Sequence, residues 1–109
     1  KVHLIKSTTL VEYAKKHASG TSSFNQWISK VKRADWEKPQ DMLDTFNSVD
    51  LLGKGCSRAV FDIGGNDYRL ICSYHFGKTM VHLFVKWIGT HAEYEELCKM
   101  NRQYTVDHY

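Results

Sequence analysis

"RAVFDIGGNDYRLICSYHFGKTMVHLFVKWIGT" (Arg58–Thr90) changes the period of the chain and decides its fold. Arg58–Ile63, Tyr68–Phe76 and Met80–Ile88 alternate apolar and polar residues, the period-two signature of strands. "GGN" and "GK" separate these runs, and both are hairpin signals. A two-residue loop at Gly65-Asn66 sets Asp62 opposite Arg69, with Gly64 and Gly65 read as turn residues that need positive φ. A two-residue loop at Gly77-Lys78 pairs Phe76 with Thr79 and, counting back, sets Arg69 opposite Lys86.

Successive strand residues point to opposite sides of a sheet. One side then collects Ala59, Phe61, Ile63, Tyr68, Leu70, Cys72, Tyr74, Phe76, Val81, Leu83, Val85 and Trp87. It is nearly all apolar and is expected to face a core. The other collects Arg58, Val60, Asp62, Arg69, Ile71, Ser73, His75, His82, Phe84, Lys86 and Ile88, with its charges gathered at the end that leads into His91.

Upstream the period is helical. Leu10, Tyr13, Ala14 and His17 form one stripe, which Gly20 ends. Phe24, Trp27, Ile28 and Val31 form a second, for which Ser23 and Gln26 offer a capping box. Lys30, Lys32 and Arg33 cluster there, with Lys30 and Arg33 off the buried stripe. Pro39 is placed to open a short helix with Met42, Leu43 and Phe46 facing inward. "VHLI" (residues 2–5) reads as a short initial strand. Downstream, Thr90 and Glu93 make a second capping box, so His91 becomes the first helical residue and Tyr94 shares its face. The expected architecture is an α+β single domain over residues 1–109. N-terminal helices pack on one face of a small antiparallel sheet, and a C-terminal helix sits near its edge.

Composition narrows the function classes. No apolar stretch approaches the roughly 18 residues of a membrane span, and no basic-then-apolar start resembles a signal peptide. The three cysteines, Cys56, Cys72 and Cys98, lack C-x-x-C spacing and suggest free thiols in a reducing cytoplasm. Six histidines are scattered without an H-x-x-x-H pair, so no metal or other cofactor is expected. Net charge is +3, mildly basic and compatible with a polyanion partner.

Like charges opposed on neighbouring strands repel, so Arg69 facing Lys86 needs a counter-charge. Two readings stay open: an Asp62–Arg69 ion pair with Lys86 reaching water, or a phosphate seat. In the second, arginine supplies a bidentate fork and lysine a point charge, and the helix start carrying His91 and Tyr94 favours the same anion. Metal-free RNA cleavage requires such a set. A base takes the 2′-hydroxyl proton, cations hold charge on the phosphate, and an acid protonates the leaving 5′-oxygen. Histidine suits either proton role, whereas tyrosine needs cationic neighbours to act as a base.

"RADWEKPQD", "AVFDIGGNDYRLI", "VKWIGTHAEYEEL" and the terminal "TV" together resemble the HigB-type (host inhibition of growth) toxins of bacterial toxin–antitoxin systems, within the RelE-like superfamily. The resemblance runs from about Trp27 to Leu97. It implies a small cytoplasmic α/β ribonuclease that cuts mRNA on the translating ribosome and is neutralised by a HigA-like helix-turn-helix antitoxin. It assigns Arg69 and Lys86 to the scissile phosphate, and His91 and Tyr94 to proton transfer or base stacking. Arg58 matches a basic residue before "VF", while Lys30 and Arg33 are candidates for RNA-backbone contacts. Glu95 stands where the family usually has aspartate, and "CKMNRQYTVDHY" runs longer than the family tail. Arg69→Ala is expected to spare the fold and remove cleavage. The rival expectation is a module that grips RNA or ribosome without cutting.

Overall fold

The computed structural model describes residues 1–109, and the alternating second half forms the centre of a five-stranded sheet. Strands β1 (Val2–Ile5), β2 (Asp50–Leu52), β3 (Arg58–Ile63), β4 (Tyr68–Phe76) and β5 (Val81–Thr90) lie in the order β1-β5-β4-β3-β2. β2 to β5 are antiparallel neighbours, while β1 runs parallel to β5, from Val2 beside Val81 to Ile5 beside Phe84. The expected antiparallel sheet therefore gains a parallel edge strand. A parallel pair needs a long crossover, and the helices between β1 and β2 form part of it. These are α1 (Ser7–Lys16), α2 (Thr21–Arg33) and α3 (Pro39–Thr45).

The first three helices cover one face of the sheet. Leu10, Phe24, Val31 and Met42 meet Phe61, Leu70, Leu83 and Val85, all fully buried or nearly so. Each such side chain contributes about 1.5–3 kcal/mol relative to exposure. Trp27, Phe46 and Phe61 add edge-to-face contacts. α3 opens at Pro39 as the sequence implies, and the Asp41 carboxylate accepts from the backbone N–H groups of Glu37 and Lys38. α2 departs from expectation. It starts at Thr21, before the anticipated Ser23 cap, and the Thr21 hydroxyl donates to Ala14 O at 2.8 Å, tying α2 to α1. No helix is long and apolar enough to cross a membrane.

The two hairpins differ in how well local residues predict them. β3 and β4 pair as expected, Asp62 opposite Arg69, with Gly64 and Gly65 at φ 68° and 67° in the turn. β4 and β5 do not. Their connection spans Gly77 to Met80, closed by Gly77 N–H donating to Met80 O at 2.8 Å, and Phe76 pairs with Val81. A bulge follows: Cys72 faces Val85 and Ile71 faces Trp87, leaving Lys86 without an opposite residue. Arg69 consequently faces Gly89, three positions from the expected Lys86. The extra residue also exchanges faces. Ile88 joins the helix-covered core and Trp87 turns to the other side, the reverse of strict alternation.

That other side is partly covered as well. Helix α4 (His91–Lys99) lies over it, with Leu97 packed on Val60 and Ile71 and flanked by Trp87 and Tyr94. The last helix thus lies across a face of the sheet, because outward-facing Val60 and Ile71 give it an apolar seat. The C-terminal tail then crosses the same face from β3 to β5. Arg58 donates to Gln103 O and Val106 O at 3.2 and 2.6 Å. Beyond the reach of β1, His108 N–H donates to Lys86 O on the open edge of β5.

Candidate active site

Thr90 ends β5 and starts α4, and the capping box read from the sequence is present. Glu93 N–H donates to Thr90 Oγ1 at 3.2 Å, and Thr90 N–H donates to Glu93 Oε1 at 2.8 Å. This reciprocal cap sets the first turn of α4 beside the end of β4, where Arg69 lies. Gly89 is needed in between, since the Trp87 ring packs over it where a Cβ would stand. The result is an open cleft of about 480 Å³ lined by Arg69, His91, Tyr94, Glu95, Cys98 and Lys99.

Arg69 forms the floor of this cleft and is only 8% exposed. Its Nε stands 3.1 Å from Asp62 Oδ1, one terminal nitrogen donates to Asn66 Oδ1 at 2.9 Å, and the other to Tyr68 O at 3.1 Å. The ion-pair reading of the sequence is therefore realised. It does not exhaust the guanidinium, which carries five N–H donors; three have partners here and two have none.

His91 is held from the helix side. Its Nε2 lies 2.9 Å from Glu95 Oε1, one turn along α4. A carboxylate only accepts, so Nε2 carries the hydrogen, and the free lone pair of the neutral ring sits on Nδ1. That atom has no partner and no contact with solvent. Glu95 thus orients the His91 ring, a contact that the i, i+4 spacing makes legible in the sequence.

Tyr94 stands beside Arg69 and 6.1 Å from the Trp87 ring centroid. Burial pushes its phenol well above the ordinary tyrosine value; the hydrogen bond to Cys98 and the proximity of Cys98 and Asp50 add to this, and Arg69 only partly offsets it. The phenol stays protonated at neutral pH. It can donate a hydrogen bond or stack, and it does not serve as a base.

The other residues singled out from the sequence lie elsewhere. Lys86 is outside the cleft, because the bulge displaces it, and its ammonium pairs with Asp107 at 3.2 Å. Arg58 is 8% exposed and turned inward to the tail carbonyls, so it is a strut and no free cation for RNA. Lys30 and Arg33 are exposed on α2, on the helix-covered side of the sheet and away from the cleft, Lys30 resting 5.6 Å from the Phe46 ring centroid. Asp62, Asn66, Glu95 and Asp107 are the partners that candidate cations acquire in the fold. Cys56, Cys72 and Cys98 are all unpaired.

The chain is 28% identical over 102 residues to the mRNA interferase HigB of Escherichia coli O6:H1 (strain CFT073), covering 94% of this chain and 97% of the relative. It is 23% identical over 101 residues to the mRNA interferase toxin HigB of Escherichia coli strain K12, covering 93% and 95%. The mRNA interferase HigB of Shigella flexneri matches at the same 23%, over the same shares. The model of the HigB toxin family, the RelE-like toxic component of a toxin–antitoxin system, matches residues 21–97, a span that holds Arg69, His91 and Tyr94. The chain belongs to the HigB toxin family.

Proposed function

We propose that this chain is an mRNA interferase: a metal-independent endoribonuclease that cuts mRNA on the translating ribosome and so arrests translation and growth in the bacterial cytoplasm. A cognate HigA-like helix-turn-helix antitoxin would neutralise it. The observation that carries the reading is the cleft, where a cation held in place by its own ion pair meets an imidazole oriented by a carboxylate and a protonated phenol.

Each group has a role its surroundings suit. The two free N–H donors of Arg69 hold the scissile phosphate and the charge that grows on it. His91, its ring held by Glu95, takes the proton from the 2′-hydroxyl once bound RNA turns the ring and brings the buried Nδ1 to the substrate. The new 2′-oxygen–phosphorus bond forms as the bond to the 5′-oxygen breaks, leaving a 2′,3′-cyclic phosphate and a 5′-hydroxyl end. Tyr94, protonated at neutral pH, gives its proton to the departing 5′-oxygen; where it stacks on the neighbouring base instead, water supplies that proton. Lys86, drawn away from Asp107, contacts a flanking phosphate, and Lys30 and Arg33 contact ribosomal RNA through its backbone.

Induced expression in bacteria tests the reading. Wild-type chain should arrest growth while cellular mRNA acquires new 5′-hydroxyl ends, and His91→Gln should do neither. Growth arrest with intact mRNA would replace the nuclease with a non-cleaving translation inhibitor.

A further inference from the structure

The sheet face opposite the first three helices carries a row of histidines at the end remote from the cleft. His3 on β1, His82 on β5 and His75 on β4 are cross-strand neighbours. His82 precedes Gly89, the partner of Arg69, by seven positions, roughly 20 Å along the strand. The Nδ1 atoms of His3 and His82 stand 3.2 Å apart. The His75 ring lies farther out, 6.3 Å from that of His82 and nearly parallel to it.

Two imidazole nitrogens come this close only with a proton or a metal ion between them. Zinc–nitrogen bonds of about 2.0–2.1 Å at a tetrahedral angle put neighbouring ligand atoms about 3.3 Å apart. The observed separation matches that spacing. Backbone pairing of β1 with β5 already holds both rings side by side, so binding needs little further ordering of the chain. We propose that His3 and His82 form a surface site for a transition-metal dication of the zinc, nickel or copper class, the metals that imidazole suits. The site is distinct from the nuclease cleft and asks nothing of it.

No third histidine, cysteine, aspartate or glutamate completes a cluster at this point. The remaining coordination positions go to water, so the ion exchanges readily. Its effect falls on the fold: the metal ties the edge strand β1 to β5, and since the unfolded chain lacks the paired rings, binding stabilises the folded state. Both imidazoles must be neutral to bind, so acid releases the ion.

The test uses the full chain without a polyhistidine tag, titrated with zinc chloride by calorimetry and melted with and without it. One zinc per chain and a rise in Tm are expected. His3→Gln and His82→Gln should each weaken binding at least about tenfold, while His17→Gln, on α1's side of the sheet, should leave it unchanged. Zinc binding that is absent, or indifferent to both substitutions, would overturn the proposal. Should either variant fail to fold, histidine side-chain NMR of the wild-type chain decides. Zinc-induced shifts of the His3 and His82 ring resonances support the assignment, and shifts confined to other histidines refute it.

Discussion

Asp62 Oδ1 stands 3.1 Å from Nε of Arg69, its cross-strand partner, with the arginine side chain 10% exposed and the aspartate 25%. This one contact joins the fold to the cleft. It neutralises a charge that β4 places almost out of solvent, and it leaves the outer N–H groups of the guanidinium directed by a rigid strand.

Arg69→Ala should therefore lower stability as well as activity. Breaking a mostly buried pair strands the other charge, here a partly exposed aspartate, at a cost of about 1–3 kcal/mol. This reverses the expectation, drawn from strand alternation alone, that the substitution spares the fold. Chemical denaturation checks it; an unchanged unfolding free energy would mean that the ion pair contributes nothing.

Asp62→Asn separates positioning from charge. The amide keeps the shape and loses the ionic hold on Arg69, so RNA cleavage should fall together with stability. A rise in cleavage would show instead that Asp62 competes with the phosphate for the guanidinium.

His91 and Glu95 should behave as a unit. His91→Gln is expected to cost about 10²–10⁴ in cleavage rate, the usual contribution of a general base. Glu95→Gln should lower the rate less and change its pH profile, because the amide no longer fixes the tautomer. His17, stacked on Tyr13 at 3.9 Å and hydrogen-bonded to Tyr13 O, is the control. If His17→Gln lost as much activity as His91→Gln, His91 would have no special role.

The core beneath α4 is small, Val60, Ile71 and Leu97, against the large cluster on the other side of the sheet. Tail and helix thus lean on Arg58. Arg58→Ala removes two charge-assisted bonds, worth about 1.5–3 kcal/mol each at most, and should raise amide exchange across residues 100–109 before any other segment. Lost RNA affinity with undisturbed tail protection would restore Arg58 as a nucleic-acid contact.

Alkaline stability follows the buried phenols. Burial, with Glu93 second, raises Tyr13 from 10.0 to about 12. The folded state prefers the neutral phenol, so this contribution is complete below pH 10 and is lost as pH rises through 12. Tyr94 shifts in the same direction. Unfolding free energies across that interval should fall more steeply for wild type than for Tyr13→Phe; parallel curves would contradict the shift.

How far the chain could be read in advance depended on whether the deciding contact was local. The Gly64-Gly65 turn and the Thr90–Glu93 cap act within a few residues, and both appear as written. The register of β4 on β5 escapes a local reading, because Gly77 reaches Met80 where a two-residue loop is the expectation, and because nothing in "VKWIG" announces a bulge at Lys86. That one extra residue moved Lys86 out of the cleft and sent Trp87 to the face where α4 packs. The roles of Arg58 and Lys86 depend on Val106 and Asp107, twenty or more residues away, and charge patterning carries no such information.

The central claim is that Arg69, His91 and Tyr94 cut RNA without metal, and mapping mRNA 5′ ends on translating ribosomes with EDTA present tests it most directly. The account predicts discrete new 5′-hydroxyl ends with wild-type chain and none with His91→Gln of unchanged Tm. Stalled ribosomes carrying intact mRNA, or equal cleavage by both proteins, would contradict it.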